Sequence, residues 1–248
     1  MRALILGGTG DANQLAARLV RERIEAIYSY AGRTRIPLGH ALPTRIGGFG
    51  GAAGIADFIR SEGITHVIDA THPFAAEISR NAAEACAATG VSLLALERAP
   101  WVRRSGDRWI EVSDIDAAVV ALPEKPARVF LAIGRQHLAP FARRPQHVYT
   151  LRFVDAPLGT LPLPDAEIIV SRGPFTLQGD RELMRSRGIQ FLVARNSGGA
   201  GARAKIDAAR ELGVPVIIIA RPAQPERPRA ETIEEVLAWL GHDARLGA

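Results

Sequence analysis

Three glycines and a threonine follow the first apolar run of the chain, in the stretch ALILGGTGDA. In dinucleotide-binding folds such glycines let the backbone approach a pyrophosphate and direct a helix N-terminus at it. From Gly8 the pattern is G-x-G-x-x-N, with Asn13 at the place of the third glycine. A plain turn between a strand and a helix is the alternative. We predict that Gly7, Gly8 and Thr9 bind a dinucleotide.

The end of the second predicted strand, IEAIYSYAGRTR, carries Arg33 and Thr34 but no acidic residue. An acid at this place would hold the ribose 2′-hydroxyl of NADH, whereas a guanidinium suits the 2′-phosphate of NADPH. The sequence therefore favours NADPH as the cofactor, bound in part by Arg33 and Thr34. A solvated arginine in a loop is the alternative.

Two further loops, IGGFGGAAG at 46–54 and DATHPFAAEIS at 69–79, follow predicted strands of the same half. The carboxyl ends of the strands are where open α/β sheets bind ligands. We also expect His72 to be catalytic, with a purely structural histidine as the alternative. The cofactor-binding candidates in these loops are Gly48, Phe49, Gly50, Ala70, Thr71 and His72.

In the second half, SRGPF and RNSGG follow the strand-like runs EIIV and QFLVA. We expect Arg172 to pair with a substrate carboxylate through two hydrogen bonds. Ser197 and the glycine amides after it lie just ahead of the helical run GARAKIDAAREL, where they would form an anion pocket. A helix cap with flexible glycines is the alternative. The substrate-binding candidates are Arg172, Gly173, Pro174, Phe175, Arg195, Asn196, Ser197, Gly198 and Gly199.

Lysine is rare in this chain, since Lys125 and Lys205 are the two lysines among 31 basic residues. Lys205 lies about two turns into the predicted helix after NSGGAG. We expect it to pair with a substrate carboxylate or with an acidic pocket residue, and to help supply a proton. A solvated helix lysine is the alternative. The candidate catalytic residues are Lys205, Ser197 and His72.

The formal net charge of +5 is spread over arginines with acidic residues between them. This pattern favours a polyanionic small ligand over nucleic acid. One cysteine, Cys86, and six scattered histidines predict no disulfide framework and no metal site. Without a long apolar run or a leader-like start, we expect no membrane segment and a cytoplasmic location.

The elements that carry these residues alternate between apolar strand-like runs and helical patterns along the whole chain. Such runs are typical of a parallel sheet that helices cover on both faces. We predict an α/β protein with two Rossmann-like parallel-sheet domains, 1–110 and 111–248, and an interdomain cleft. A single long sheet is the alternative. A last amphipathic helix is predicted from about Ala230 to Leu240.

Taken together, ILGGTGDA, SYAGRT, GGFGG, DATHPFA, SRGPF and RNSGGAGARAKIDAARELGVPVIII resemble the precorrin-6A reductase family of cobalamin (vitamin B12) biosynthesis over nearly the whole chain. The resemblance implies that NADPH delivers hydride to the precorrin-6A macrocycle, giving precorrin-6B. It implies a tetrapyrrole substrate edged with carboxylates, bound between two Rossmann-like domains of a cytoplasmic enzyme. We expect a monomer or a small homo-oligomer. The alternatives are another NADPH-dependent reductase of a small anionic substrate and a non-catalytic nucleotide-binding protein.

Overall fold

The chain folds into two α/β units, each built on a parallel sheet of six strands. The computed structural model describes residues 1–30, 41–157, 159–163 and 165–246. The first unit comprises Met1–Ala99 and Ala223–Ala248, and the second comprises Pro100–Pro222. The predicted class, two Rossmann-like parallel-sheet domains, is confirmed, and the single long sheet is wrong. Within the described ranges, no helix has the length and apolar character needed to span a membrane.

The secondary structure alternates between strands and helices in both units. The strands are β1 Ala3–Leu6, β2 Ala26–Tyr30, β3 Thr44–Ile46, β4 His66–Asp69, β5 Ser92–Leu96, β6 Trp109–Val112, β7 Arg128–Ala132, β8 Val148–Phe153, β9 Ala166–Val170, β10 Phe191–Arg195, β11 Val216–Ile219 and β12 Arg229–Ala230. The helices are α1 Gly10–Arg21, α2 Ala52–Ser61, α3 Ala76–Thr89, α4 Ile115–Val120, α5 Leu177–Ser186, α6 Ala204–Leu212 and α7 Ile233–Leu246. Two short 3-10 helices, Arg135–His137 and Ala139–Arg143, lie between β7 and β8.

The first sheet has the strand order β3-β2-β1-β4-β5-β12. This is the doubly wound order 3-2-1-4-5-6 of dinucleotide-binding sheets. Strands are added on one side of the first strand and then, from the fourth strand on, on its other side. Leu6, at the end of β1, pairs in register with Asp69, at the end of β4. The loops after β1 and β4 therefore start side by side, where this fold binds its ligand.

The second sheet has the order β9-β8-β7-β10-β11-β6. Its five consecutive strands β7 to β11 repeat the 3-2-1-4-5 arrangement, and β6, which precedes them in the chain, takes the sixth position. In the first sheet the sixth position belongs to β12, which follows the whole second unit. The first sheet is thus completed by a strand that follows the whole second unit, whereas the second sheet takes all six strands from its own continuous segment.

The unit bounds differ from the predicted domains 1–110 and 111–248. Residue 110 lies inside β6, and the segment Ala223–Ala248 belongs to the first unit. Backbone pairing explains this placement, since β12 forms parallel ladder pairs with β5. Helix α7 adds apolar burial, because Val236 and Leu240 are fully buried in the core formed with α1 and the first sheet.

The single cysteine lies inside this first unit, on α3. Cys86 is 4% exposed, and burial raises the pKa of its thiol to about 12. The thiol therefore stays protonated at neutral pH and behaves as a small apolar side chain.

Candidate functional site

The turn after β1 is built around the ring of Tyr28. A Cβ atom on Gly7 would overlap this ring, so the position requires glycine. The Tyr28 hydroxyl accepts a hydrogen bond from the Gly8 amide at 2.9 Å and donates one to Asn13 Oδ1 at 2.8 Å. Burial raises the pKa of Tyr28 to about 12, which keeps the hydroxyl protonated as a donor. Asn13, at the place of the third glycine, thus fastens α1 to β2.

Thr9 caps α1 and joins the turn to the loop after β4. Its Oγ1 atom accepts from the Ala12 amide at 3.1 Å and donates to the Ala70 carbonyl at 2.8 Å. The first amides of a helix have no partner within the helix. With Ala12 capped by Thr9, the amides of Gly10 and Asp11 are the ones the turn offers to an anion.

The turn also has room for a ligand. Gly8 has a φ of +106°, which favours glycine, and a Cβ atom on Gly8 or Gly10 would meet no other atom within 4 Å. Asp11 places a carboxylate at this helix start, but Arg98 Nη1 pairs with it at 2.9 Å. Because that pair offsets the carboxylate charge, the site remains suited to a diphosphate. These features fit the dinucleotide that the sequence predicted.

The glycine loop after β3 is held by Arg45. Its guanidinium lies 3.7 Å from the centroid of the Phe49 ring and donates to the carbonyls of Gly47 and Gly48, each at 2.6 Å. Burial lowers the pKa of Arg45. A Cβ atom on Gly54, in α2, would overlap the Phe49 carbonyl oxygen. Glycine at 54 therefore lets the loop close on the helix that follows it.

The loop after β4 is shaped by Asp69, which is 2% exposed. Its Oδ1 accepts from the Thr71 amide at 3.2 Å and the Thr71 hydroxyl at 2.6 Å, and its Oδ2 accepts from Ser79 at 2.6 Å. His72 Nδ1 accepts from the Phe74 amide at 3.2 Å. Since Nδ1 acts as an acceptor, the neutral His72 ring carries its hydrogen on Nε2 and can donate from there.

The first-unit candidates therefore fall in two groups. Gly7, Gly8 and Thr9 meet Ala70 and the residues after it at the paired ends of β1 and β4. The loop with Gly48, Phe49 and Gly50 follows β3, at the edge of the sheet. Arg33 and Thr34, predicted to bind the 2′-phosphate, lie outside the described residues.

In the second unit, the SRGPF loop lines a cavity of about 230 Å³ beside the start of α5. Arg172 is 56% exposed along its side chain and pairs with Asp155. The ring of Phe175 lies 3.6 Å from the guanidinium of Arg152, which pairs with the buried Asp180. Sequence reasoning missed Arg152. The cavity is lined by Arg152, Ile169, Ser171, Arg172, Pro174, Phe175, Thr176, Gly179, Asp180 and Leu183.

The RNSGG loop after β10 is fixed to Trp101. Asn196 Oδ1 accepts from the Trp101 amide at 2.7 Å, and its Nδ2 donates to the Trp101 carbonyl at 3.0 Å. The Trp101 indole donates to the Gly199 carbonyl at 2.7 Å. Ser197 is 7% exposed, and its carbonyl accepts from Arg221 at 3.2 Å. The Asn196 side chain thus has a packing role that the sequence did not indicate.

Strand order separates this loop from SRGPF. Two strands, β8 and β7, lie between β9 and β10, which places the two strand ends about 14 Å apart. Arg195, at the end of β10, lies with its Nη1 atom 3.5 Å from His137 Nε2. The two groups of predicted substrate residues therefore occupy separate positions along the carboxyl ends of the strands of the second sheet.

Helix α6 begins at Ala204, three residues later than the predicted helical run GARAKIDAAREL. The consecutive Gly198 and Gly199, both with a φ of +69°, lead into turns that precede the helix. Lys205 consequently lies in the first turn of α6. It is 8% exposed, so the solvated-lysine alternative is wrong. Its Nζ donates to the Ala202 carbonyl at 2.6 Å and lies 5.2 Å from the centroid of the Trp101 ring.

Known proteins resemble this chain over nearly its full length. The family model described as precorrin-6x reductase CbiJ/CobK matches residues 2–241. A precorrin-6A reductase from Rhodobacter capsulatus is 60% identical over 239 residues, covering 96% of this chain and 95% of its own. A precorrin-6A reductase from Sinorhizobium sp is 48% identical, covering 97% and 93%. The solved structure titled CobK precorrin-6A reductase superposes with a TM-score of 0.94 at 60% identity, covering 98% and 96%.

The doubly wound sheet with its glycine turn places the first unit among dinucleotide-binding folds, and the relatives are reductases. The chain belongs to the precorrin-6x reductase family, so the resemblance predicted from its sequence is confirmed. It is an oxidoreductase of cobalamin biosynthesis. Reductase chemistry implies a nicotinamide cofactor.

Proposed function

We propose that this protein reduces precorrin-6A to precorrin-6B with NADPH. The observation that carries the proposal is the glycine turn at the β1–β4 switch point. There, Gly8 and Gly10 border open space and Thr9 fastens the neighbouring loop. The precorrin-6A reductase from Rhodobacter capsulatus, 60% identical to this chain, supports the substrate.

On this proposal the first unit holds the cofactor by its backbone. The first amides of α1 receive the diphosphate, and the open glycines let it approach. Thr71 and His72 contact the cofactor from the neighbouring loop, whose shape is held by hydrogen bonds from Thr71 to the Asp69 carboxylate. When bound, NADPH supplies hydride. The remaining cofactor residues of the proposal are Gly7, Arg33, Thr34, Gly48, Phe49, Gly50 and Ala70.

On the same proposal, the second unit binds the carboxylates of the substrate. Arg172 and Arg152 line the cavity beside α5, and the Phe175 ring supplies an apolar surface between them. Because Arg172 also pairs with Asp155, a substrate carboxylate must displace that side chain to bind. The other substrate residues of the proposal are Gly173, Pro174, Arg195, Asn196, Ser197, Gly198 and Gly199.

Reduction of a double bond also needs a proton. His72 holds one on Nε2, in a loop that we assign to the cofactor. Lys205 holds its ammonium buried against the Ala202 carbonyl, in the first turn of the helix that follows the proposed substrate loop. These two groups, with Ser197 in the RNSGG loop, remain the predicted catalytic residues.

The purified protein tests the proposed reaction directly. NADPH absorbance should fall when precorrin-6A is supplied and stay constant without it. The product should have the mass of precorrin-6B. Oxidation of NADPH at the same rate with and without precorrin-6A would overturn the assignment of substrate.

Replacing Arg33 by alanine should weaken NADPH binding by about 1.5–3 kcal/mol, the size of hydrogen bonds to a charged group. NADH lacks the 2′-phosphate, so its affinity should hardly change. Titration of both cofactors against the variant measures the difference. Arg21→Ala, on the exposed end of α1, is the control and should change neither affinity. Equal losses for NADPH and NADH would contradict a 2′-phosphate contact.

Replacing Arg172 by alanine should raise the KM for precorrin-6A more than it changes kcat, because a carboxylate contact binds ground and transition states alike. Asp155→Asn should have the opposite effect and lower KM, since it removes the charge that competes for Arg172. Arg185→Ala, exposed on α5, serves as the control in steady-state assays. Unchanged KM in both site variants would rule out the contact.

A further inference from the structure

Asp69 connects the loop after β4 to a residue far away in the chain, Arg227. Besides its bonds to Thr71 and Ser79, its Oδ2 lies 3.2 Å from Arg227 Nη2. Both side chains are almost fully buried, with 1% of Asp69 and 5% of Arg227 exposed. A buried carboxylate needs a paired cation and filled hydrogen-bonding sites to remain charged. Arg227 therefore supplies the cation next to the carboxylate that shapes the loop after β4.

Arg227 belongs to residues 223–228, which we call the return segment because they bring the chain back to the first unit. A second residue of this segment touches the same loop. Gln224 Nε2 donates to the Pro73 carbonyl at 2.7 Å. The loop is thus held at its base through Asp69 and at its far end through Pro73.

The position of the return segment is itself fixed by the sheet. The Ala95 amide donates to the Pro228 carbonyl at 3.0 Å, and the Glu97 amide donates to the Ala230 carbonyl at 2.9 Å. Arg227 Nη2 also lies 3.5 Å from the carboxylate of Glu97, at the end of β5. The Arg227 guanidinium therefore lies between the ends of β4 and β5. Its position is fixed by the backbone hydrogen bonds between β5 and the chain that begin at Pro228, the next residue.

We infer that the return segment is a positioning element for the cofactor: Arg227, through Asp69, and Gln224, through Pro73, hold Thr71 and His72 in their binding conformation. The inference rests on the proposed function of the loop after β4. Neither Arg227 nor Gln224 needs to touch the cofactor. Arg227 acts on Asp69, which precedes Thr71 and His72, and Gln224 acts on Pro73, which follows them. Displacement of a site by about 1 Å can reduce its function up to about 100-fold.

The test compares NADPH affinity with stability in Gln224→Ala and Arg227→Met. Gln224→Ala should weaken NADPH binding at least about threefold, with the melting temperature nearly unchanged, because it removes one hydrogen bond at the loop. Arg227→Met should weaken binding at least about tenfold and Arg227→Lys less, since lysine restores the charge without the planar fork. Fluorescence titration of the folded enzyme gives the affinities.

Arg210→Met is the matched control, because Arg210 pairs with the buried Asp107 in the second unit. The Arg210→Met variant should be less stable than the wild-type protein, with an NADPH affinity within twofold of the wild-type value. NADPH affinities within twofold for folded Arg227→Met and Gln224→Ala would overturn the inference. If Arg227→Met does not fold, the Gln224→Ala result decides alone.

A His72→Ala variant separates this inference from the proposed function. Weaker NADPH binding in His72→Ala with unchanged binding in Gln224→Ala would leave the cofactor loop in place and reject the positioning role. Unchanged binding in His72→Ala would reject the assignment of His72 to the cofactor, and with it the basis of the inference.

Discussion

The Arg152→Met variant will lose about 3–5 kcal/mol of unfolding free energy, because methionine leaves a buried carboxylate without its cation. That carboxylate is Asp180, which is 2% exposed and whose Oδ2 has no hydrogen-bond partner among the described residues. The variant also loses the contact between the guanidinium and the Phe175 ring. Urea unfolding followed by the fluorescence of Trp101, in the same unit, measures the loss.

Two further variants make this result specific. Arg187→Met removes one of the two arginine partners of Glu167, from a pair that is 45% and 32% exposed, and should change stability by less than about 1 kcal/mol. The double variant Arg152→Met with Asp180→Leu should recover most of the loss, because no buried charge remains. If the double variant is no more stable than the single one, the loss does not come from the uncompensated carboxylate.

The Gly54→Ala variant will bind NADPH at least about tenfold more weakly and lose about 1–3 kcal/mol of stability. Its new Cβ would overlap the Phe49 carbonyl, and a backbone group cannot rotate away as a side chain can. The loop that carries Gly48, Phe49 and Gly50 must therefore move. Cofactor titration and thermal unfolding measure the two effects.

Gly241 offers a matched control, since it also lies in a helix of the first unit and a Cβ there would meet no atom within 4 Å. Gly241→Ala should raise stability by up to about 1 kcal/mol, because alanine favours helix more than glycine does. Its NADPH affinity should not change. Stability gains of equal size in both variants would show that the loop accommodates the methyl group.

The sequence predicted the central strands well and the edge strands poorly. Strand β1 is fully buried, so its residues are all apolar and stand out from their surroundings. Strands β6 and β12, which were missed, and β3, which was expected only from the loop after it, all lie at sheet edges. An edge strand is short and partly exposed, and its polar residues hide the pattern. Because β12 was missed, the last helix was assigned to the wrong unit.

For the candidate site, local contacts were more predictable than distant ones. Thr9, predicted only as a cofactor residue, directly precedes α1 and accepts from an amide three residues further on, a short-range contact that threonine at a helix start favours. The pairs of Asp11 with Arg98 and of Asp69 with Arg227 join residues far apart in the chain, and no local pattern points to them. The rarity of lysine drew attention to Lys205, which is buried and lies earlier in its helix than expected; its pairing with a substrate carboxylate or an acidic residue stays a prediction.

The position of β12 in the chain, after the whole second unit, bears on how the protein is made. A ribosome releases β1 to β5 first, but their sheet stays open at β5 until β12 and α7 have emerged. At about 5–20 residues per second, the intervening chain takes on the order of ten seconds to synthesise. During that time the unpaired β5 edge and the apolar surface later covered by Val236 and Leu240 are exposed to solvent. The unit translated second is thus the first whose strands are all available for pairing, and the nascent first unit carries an aggregation-prone open edge until synthesis ends.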